Sequence, residues 1–204
     1  MNSFIVDIGT KLFDILRRIS PFWWFNRKFD YGCVEIWVLA NFLLSFVLLR
    51  ASAAPNVRWW EWFFVAWGIA RVYEVLIYQI NLLLFDAYRT QISGSTYKVR
   101  SYRRTVLMLL LNYFEISFWF ALFYRNWDWA FETGKASLNS FATASHFSLV
   151  TMTGFGNTNI SPTEILGYVL TSVHMATGLV MALLVLTSFI SFLPRPNTKD
   201  EFEK

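Results

Sequence analysis

The stretch FSLVTMTGFGNTNISP, Phe147–Pro162, decides how the rest of the chain is read. It is polar and carries two glycines, yet apolar sequence flanks it on both sides. Upstream, SLNSFATASHFSLV (Ser137–Val150) puts Phe141, Ala144, Ser145 and Ser148 on one helical face. That helix is too short to cross a bilayer, which takes roughly 20 apolar residues. Downstream, about Ile165–Leu193 is apolar and long enough to span, and Pro194 and Pro196 end it. A short helix followed by a glycine-bearing loop, between two full spans, predicts a re-entrant segment. Irregular backbone at membrane depth is tolerated only where it is buried in protein or lines water. Such a loop makes sense if its carbonyls have ions to bind.

Composition agrees with a membrane setting. Of 204 residues, 55% are hydrophobic and only 16% charged, where soluble domains run near ~25% charged. Ten Trp and twenty-one Phe fit lipid-facing surface with aromatic belts at the interfaces. The single Cys33 excludes an intrachain disulfide and a cysteine metal cluster. His146 and His174 have no metal-ligand spacing to each other. The net charge of +4 is read as basic loops of a membrane protein, with no nucleic-acid partner.

Three further stretches qualify as spans: about Val34–Leu49, Trp59–Phe85 and Val106–Tyr124. Basic residues set the orientation. Lys11, Arg17, Arg18, Arg27 and Lys28 precede the first span. Arg89, Lys98, Arg100, Arg103 and Arg104 lie between the second and third, and Arg195, Lys199 and Lys204 follow the last. The opposite side holds Arg50, Arg58, Arg125 and Lys135. Both termini are therefore expected in the cytoplasm, with Arg125–Glu164 facing outward.

No cleavable signal peptide is apparent at the N-terminus. Instead FIVDIGTKLFDILRRIS (Phe4–Ser20) gathers Phe4, Ile8, Leu12, Ile15, Leu16 and Ile19 on one face and Asp7, Lys11, Asp14, Arg17 and Arg18 on another. This predicts a helix in the membrane interface, anchored by Trp23 and Trp24. A helix packed on a protein partner is the alternative. The expected organisation is an interfacial segment over 1–30, two peripheral spans over 31–86 and a basic cytoplasmic loop over 87–104. A module of span, short helix, loop and span covers 105–193, and a tail covers 194–204.

The segment FSLVTMTGFGN, the following Pro162 and a long helix with Gly178 resemble the pore module of tetrameric potassium channels. In that family an outer helix, a pore helix, a filter written TVGYGD, a proline and an inner helix follow in order. NYFEISFWFALFY (Asn112–Tyr124) is similar to the outer helix of bacterial ion-channel proteins of this class. The resemblance covers about Arg103–Leu193, under half the chain. It implies an all-α membrane protein of four transmembrane helices with a re-entrant pore helix, assembled as a homotetramer in a bacterial plasma membrane. The implied function is a cation channel, not an enzyme, without cofactor and conducting K+. The implied ion-binding filter is Thr151, Met152, Thr153, Gly154, Phe155, Gly156 and Asn157, with Gly178 as candidate gating hinge or, equally, a small residue for close helix packing.

Two registers fit. In one, Gly154-Phe155-Gly156 stands for the family's GYG and Asn157 for its Asp. In the other, FSLVTMTGFGNTNISP overlays FSLVTLTTVGYGDITP without a gap. The first puts glycine at both places where a filter needs positive φ, which glycine adopts without a Cβ penalty; the second puts Thr158 at one of them. That steric ground favours the first. Either register weakens strict K+ selectivity: Met152 offers a thioether, a poor ligand for a hard cation, Phe155 lacks a tyrosine hydroxyl, and Asn157 lacks a carboxylate. A weakly selective pore that also passes Na+ is thus one alternative; a non-conducting membrane subunit and an intramembrane enzyme are the others.

Intramembrane charges are costly and face protein or water. Arg71 and Glu74 are three apart in the second span and can pair. Glu115 lies in the third span and Glu35 near the start of the first. One Arg is too few for a voltage sensor. An enzyme would need paired Asp, a Ser with His, or metal ligands, and no aspartate lies inside a span. The basic loop DAYRTQISGSTYKVRSYRR has the charge to touch anionic lipid.

Overall fold

The computed structural model describes residues 4–19, 31–51, 58–92, 94, 101–134, 136–156 and 158–192. Trp23, Trp24, Asn157, the prolines at 55, 194 and 196, and the tail lie outside the described residues. Helices dominate: α1 (Phe4–Ile19), α2 (Tyr31–Ala51), α3 (Arg58–Ile80), α4 (Asp86–Ile92), α5 (Tyr102–Asn126), α6 (Phe141–Thr153) and α7 (Ile165–Phe192). Four of them, α2, α3, α5 and α7, are long and apolar enough to cross a membrane. The chain is an all-α membrane protein in outline, with one two-residue strand pair.

Helix α5 is the centre of the bundle. It packs against α2 and α3 on one side and α6 and α7 on the other. Its spanning window is 56% buried, against 22% for α2 and 28% for α7, so α5 is the wall shared by both halves. Leu109, Ile116, Trp119 and Tyr124 along it are fully buried. Ser101, in extended backbone, caps the start of α5: its hydroxyl accepts from the Arg104 N–H, one of the donors a helix start leaves without a partner. At the far end of α2, Arg125 of α5 donates to the Leu49 carbonyl at 3.1 Å, meeting the opposite need.

The second span departs from expectation. A π-helical turn, Asn81–Phe85, follows α3, and the chain then continues as α4 where a loop was predicted. Asn81 stabilises the irregular turn from both ends of its amide. Its Nδ2 donates to the Ile77 carbonyl at 2.8 Å, and its Oδ1 accepts from Arg89 at 2.8 Å. Arg89 also pairs with Asp86 and with Asp14 of α1.

Helix α1 lies against α3 and this turn. Phe13 packs on Phe85, and the Tyr73 hydroxyl donates to the Leu16 carbonyl at 3.1 Å. Phe4, Ile8, Leu12, Ile15 and Ile19 point away from the bundle and are exposed. The apolar stripe is thus uncovered by this chain, which suits a helix lying in lipid headgroups.

Close approach of α3 to α5 depends on Gly68. A Cβ there would lie 2.6 Å from the Trp119 ring and 2.9 Å from the Phe123 ring. Valine regains only a few tenths of a kcal/mol in helix propensity over glycine, while overpacking costs about 1–3 kcal/mol. Gly68→Val is therefore expected to lower the melting temperature of the purified protein in nanodiscs. An unchanged melt would mean the two helices do not meet at that level.

Candidate functional site

Helix α6 begins at Phe141, four residues later than predicted, because Ser137–Ser140 forms a turn. It also runs on through Thr151, Met152 and Thr153, which the sequence placed in the loop. With 13 residues at ~1.5 Å rise each, it is far short of a ~30 Å hydrocarbon core. Its buried face, Ala144, Phe147, Ser148, Thr151 and Met152, fits between α5 and α7. The Ser148 hydroxyl donates to the Ser117 carbonyl of α5 at 2.6 Å. Phe147 meets Tyr124 edge-on, with ring centroids 4.6 Å apart.

Gly154 ends α6 in a left-handed conformation, φ +69°, and its N–H reaches the Val150 carbonyl at 2.9 Å. This is a glycine helix cap. Gly156 is also left-handed, φ +103°, and among the described residues no non-glycine has positive φ. Both glycines have the positive φ that the first register asks for, but Met152 and Thr153, which that register puts in the filter, are helical; Thr158 has no positive φ. The Phe155 N–H bonds to the Thr153 hydroxyl at 3.3 Å, and its ring is 82% exposed. Beyond Val150 the last carbonyls of α6 have no further helical turn to donate to them.

The threonine hydroxyls of the last turn bond back to their own helix. Thr151 donates to the Phe147 carbonyl and Thr153 to the Leu149 carbonyl, each at 2.8 Å. Met152 is buried. Downstream, Thr158 donates to the Ile160 carbonyl. Strand β1 (Phe131–Glu132) pairs antiparallel with β2 (Ser161–Pro162), Phe131 opposite Pro162. The Ala130 carbonyl accepts from the Thr163 N–H, so the two ends of the segment 131–162 are tied to each other just before α7.

Helix α7 passes unbroken through Gly178. A Cβ at Gly178 would lie 2.2 Å from the Met152 carbonyl oxygen. Of the two roles weighed for Gly178, close packing is the one this contact supports. Nearby, His174 is fully buried, stacked on Phe120 with ring centroids 3.8 Å apart, and bonded through Nδ1 to the Tyr124 hydroxyl at 2.9 Å. His146, on α6, is exposed. Among the described residues no group of three His, Cys, Asp or Glu is placed to hold a metal.

The intramembrane charges form a second cluster. Arg71 and Glu74 pair at 3.0 Å, as their spacing predicts. The stronger contact was not legible locally: Arg71 grips Glu115 of α5 with two bonds, 2.7 and 3.1 Å. Trp37 of α2 donates to Glu74, and Trp119 to Glu115, each at 3.3 Å. Glu35 pairs instead with Arg104. The signal that could have linked Arg71 to Glu115 was the rule that charge inside a membrane seeks charge; forty-four residues of separation gave no spacing to read.

This geometry defines a helical membrane protein with a short buried helix ending in a glycine turn. No known protein family, curated protein or solved structure matches the chain.

Removing one member of a buried ion cluster costs about 3–5 kcal/mol, because the partners stay buried and unpaired. Arg71→Met is expected to lose most of its monodisperse particle on size exclusion. Arg71→Met combined with Glu74→Leu and Glu115→Leu should recover much of it. Equal behaviour of the single and triple variants would show that charge pairing is not what holds α3 to α5.

Proposed function

We propose that this protein is the subunit of a tetrameric cation channel whose ion path runs along the turn Gly154–Gly156, with K+ as the main permeant ion. One observation carries the reading. A helix too short to span lies wedged between two spanning helices and ends in a Gly-Phe-Gly turn with both glycines left-handed. Left-handed residues alternating with an ordinary one can turn successive carbonyls toward one side, where they replace an ion's hydration shell. Helix α6 would be re-entrant, with its C-terminal end, bearing about half a negative charge, toward the ion.

One chain offers one strip of carbonyls, and a ring needs closed rotational symmetry. The 82% exposed Phe155 ring and the sparsely buried α7 leave surface for neighbouring copies to cover. The basic-residue count supports both termini in the cytoplasm, and the resemblance suggests a bacterial plasma membrane. The carboxylates an enzymatic reading would use, Glu35 and Glu115, are engaged by Arg104 and Arg71.

A second reading, a pore that also passes Na+, is favoured by a specific feature. Met152 is buried, and the Thr153 hydroxyl is committed to the Leu149 carbonyl. Neither side chain is arranged to complete a cation's oxygen shell.

Purified protein in liposomes is expected to pass K+, and imaging should give a four-fold particle with an axial ion column. Gly154→Ala and Gly156→Ala should each abolish or relax the flux, since alanine is strained at positive φ. Absence of cation flux under every gating condition, or flux indifferent to both alanines, overturns the channel.

A further inference from the structure

The peripheral helices form a half-open pocket of their own, largely apolar with a few polar side chains. It has a volume of about 60 Å³ and lies between α2, α3 and α5. A water needs ~10–15 Å³ by this measure, so several fit. Arg71 and Glu74 line one end, and Arg104 and Thr105 the other. Between them Gln79 and Asn112 line the wall. Gln79 and Asn112 are 2% and 3% exposed, yet Gln79 Oε1 and Asn112 Oδ1 have no hydrogen-bond partner among the described residues. Both atoms can only accept. A buried polar atom without a partner is costly, and two on one cavity wall point to something that fills it.

Charge says what kind of occupant. Arg71 faces two carboxylates, Glu74 and Glu115, and Arg104 is matched by Glu35. With the acids ionised, the cluster carries one negative charge in excess, at a depth where charge is expensive. The unmatched groups are all oxygens, the donors a hard cation prefers.

We propose that this cavity binds a small monovalent cation with its water, held by the Glu74 carboxylate and the amide oxygens of Gln79 and Asn112. The cation would neutralise the Arg71 cluster. The site stands apart from the Gly154–Gly156 turn and does not require that the chain conduct.

The test uses full-length protein in nanodiscs, with the exposed Cys33 replaced as Cys33→Ser. Met108→Cys puts a thiol on the cavity wall, and Thr105→Cys, beside Arg104, is the second reporter. Each is reacted with a cationic (trimethylammonium-ethyl) and an anionic (sulfonatoethyl) methanethiosulfonate, with rates normalised to a free thiol. An excess negative charge about 12 Å away at an effective dielectric near 20 should speed the cationic reagent about tenfold and slow the anionic one about tenfold, a ratio of about a hundred. At constant ionic strength of about 0.1 M, NaCl or KCl should slow that reagent relative to N-methylglucamine chloride. Glu74→Gln or Gln79→Leu should remove the slowing. Reaction without charge preference, a preference for the anion, slowing by neither Na+ nor K+, or two unreactive thiols in a well-folded protein each overturns the proposal. If Glu74 simply carries a proton, the metal cations have no effect, which also overturns it. No ion flux is measured, so a failed channel assay leaves this result standing.

Discussion

One guanidinium joins the helices where the hydrophobic effect cannot. Between helices in lipid there is little hydrophobic drive, because the solvent is as apolar as leucine. Close packing and polar bonds must hold them. Arg71 supplies both kinds of contact. It grips Glu115 with two bonds across the α3–α5 interface, pairs with Glu74 on its own helix, and lies 5.8 Å from the Trp37 ring of α2. The indole N–H groups of Trp37 and Trp119 complete the carboxylates. Three helices are fixed in register by one residue, and the near approach at Gly68 is possible because that register is fixed.

The two halves of the chain meet on opposite faces of α5. Glu115 and Trp119, four apart, share the face toward α3. Ser117 is two residues on, a turn of roughly 200°, and it receives α6 through Ser148. Tyr124, nine residues from Glu115 and again about half a turn away, meets Phe147 and His174. The polar contacts on both faces are buried, so α5 cannot rotate without breaking one set. The ion cluster on one side therefore fixes the orientation in which α5 offers its other side to α6 and the glycine turn.

Much of this was legible in the sequence, and the parts that were not share a cause. The four long helices follow from hydropathy, because lipid forces every backbone group into an internal bond. The Arg71–Glu74 pair and the left-handed Gly154 and Gly156 were readable, since both depend on neighbours in the chain. The Arg71–Glu115 bond was not, because it depends on which helices become neighbours. Boundaries failed where a side chain overrode pattern. Asn81 sustains a π turn that apolar periodicity does not report. The Ser137–Ser140 turn, with Asn139 bonded to Asp128, delays α6 although its residues would tolerate a helix. The helix of α1 was legible from its apolar stripe, but its attachment was not: it runs through Phe13, assigned to neither face, through Asp14 of the polar face, and through the Leu16 carbonyl.

Gly178 connects the long helix to the glycine turn more tightly than either role first weighed for it implies. Its Cα surface sits where any side chain would meet the Met152 carbonyl, and Met152 is two residues from Gly154. In a helix ending, such a carbonyl lacks a hydrogen-bond donor and has instead the backbone of α7 for a neighbour. The residue that permits close packing thus lets α7 lie directly against the last turn of α6. The same contact means that the last turn of α6, and with it Gly154–Gly156, is positioned by α7 as well as by α5.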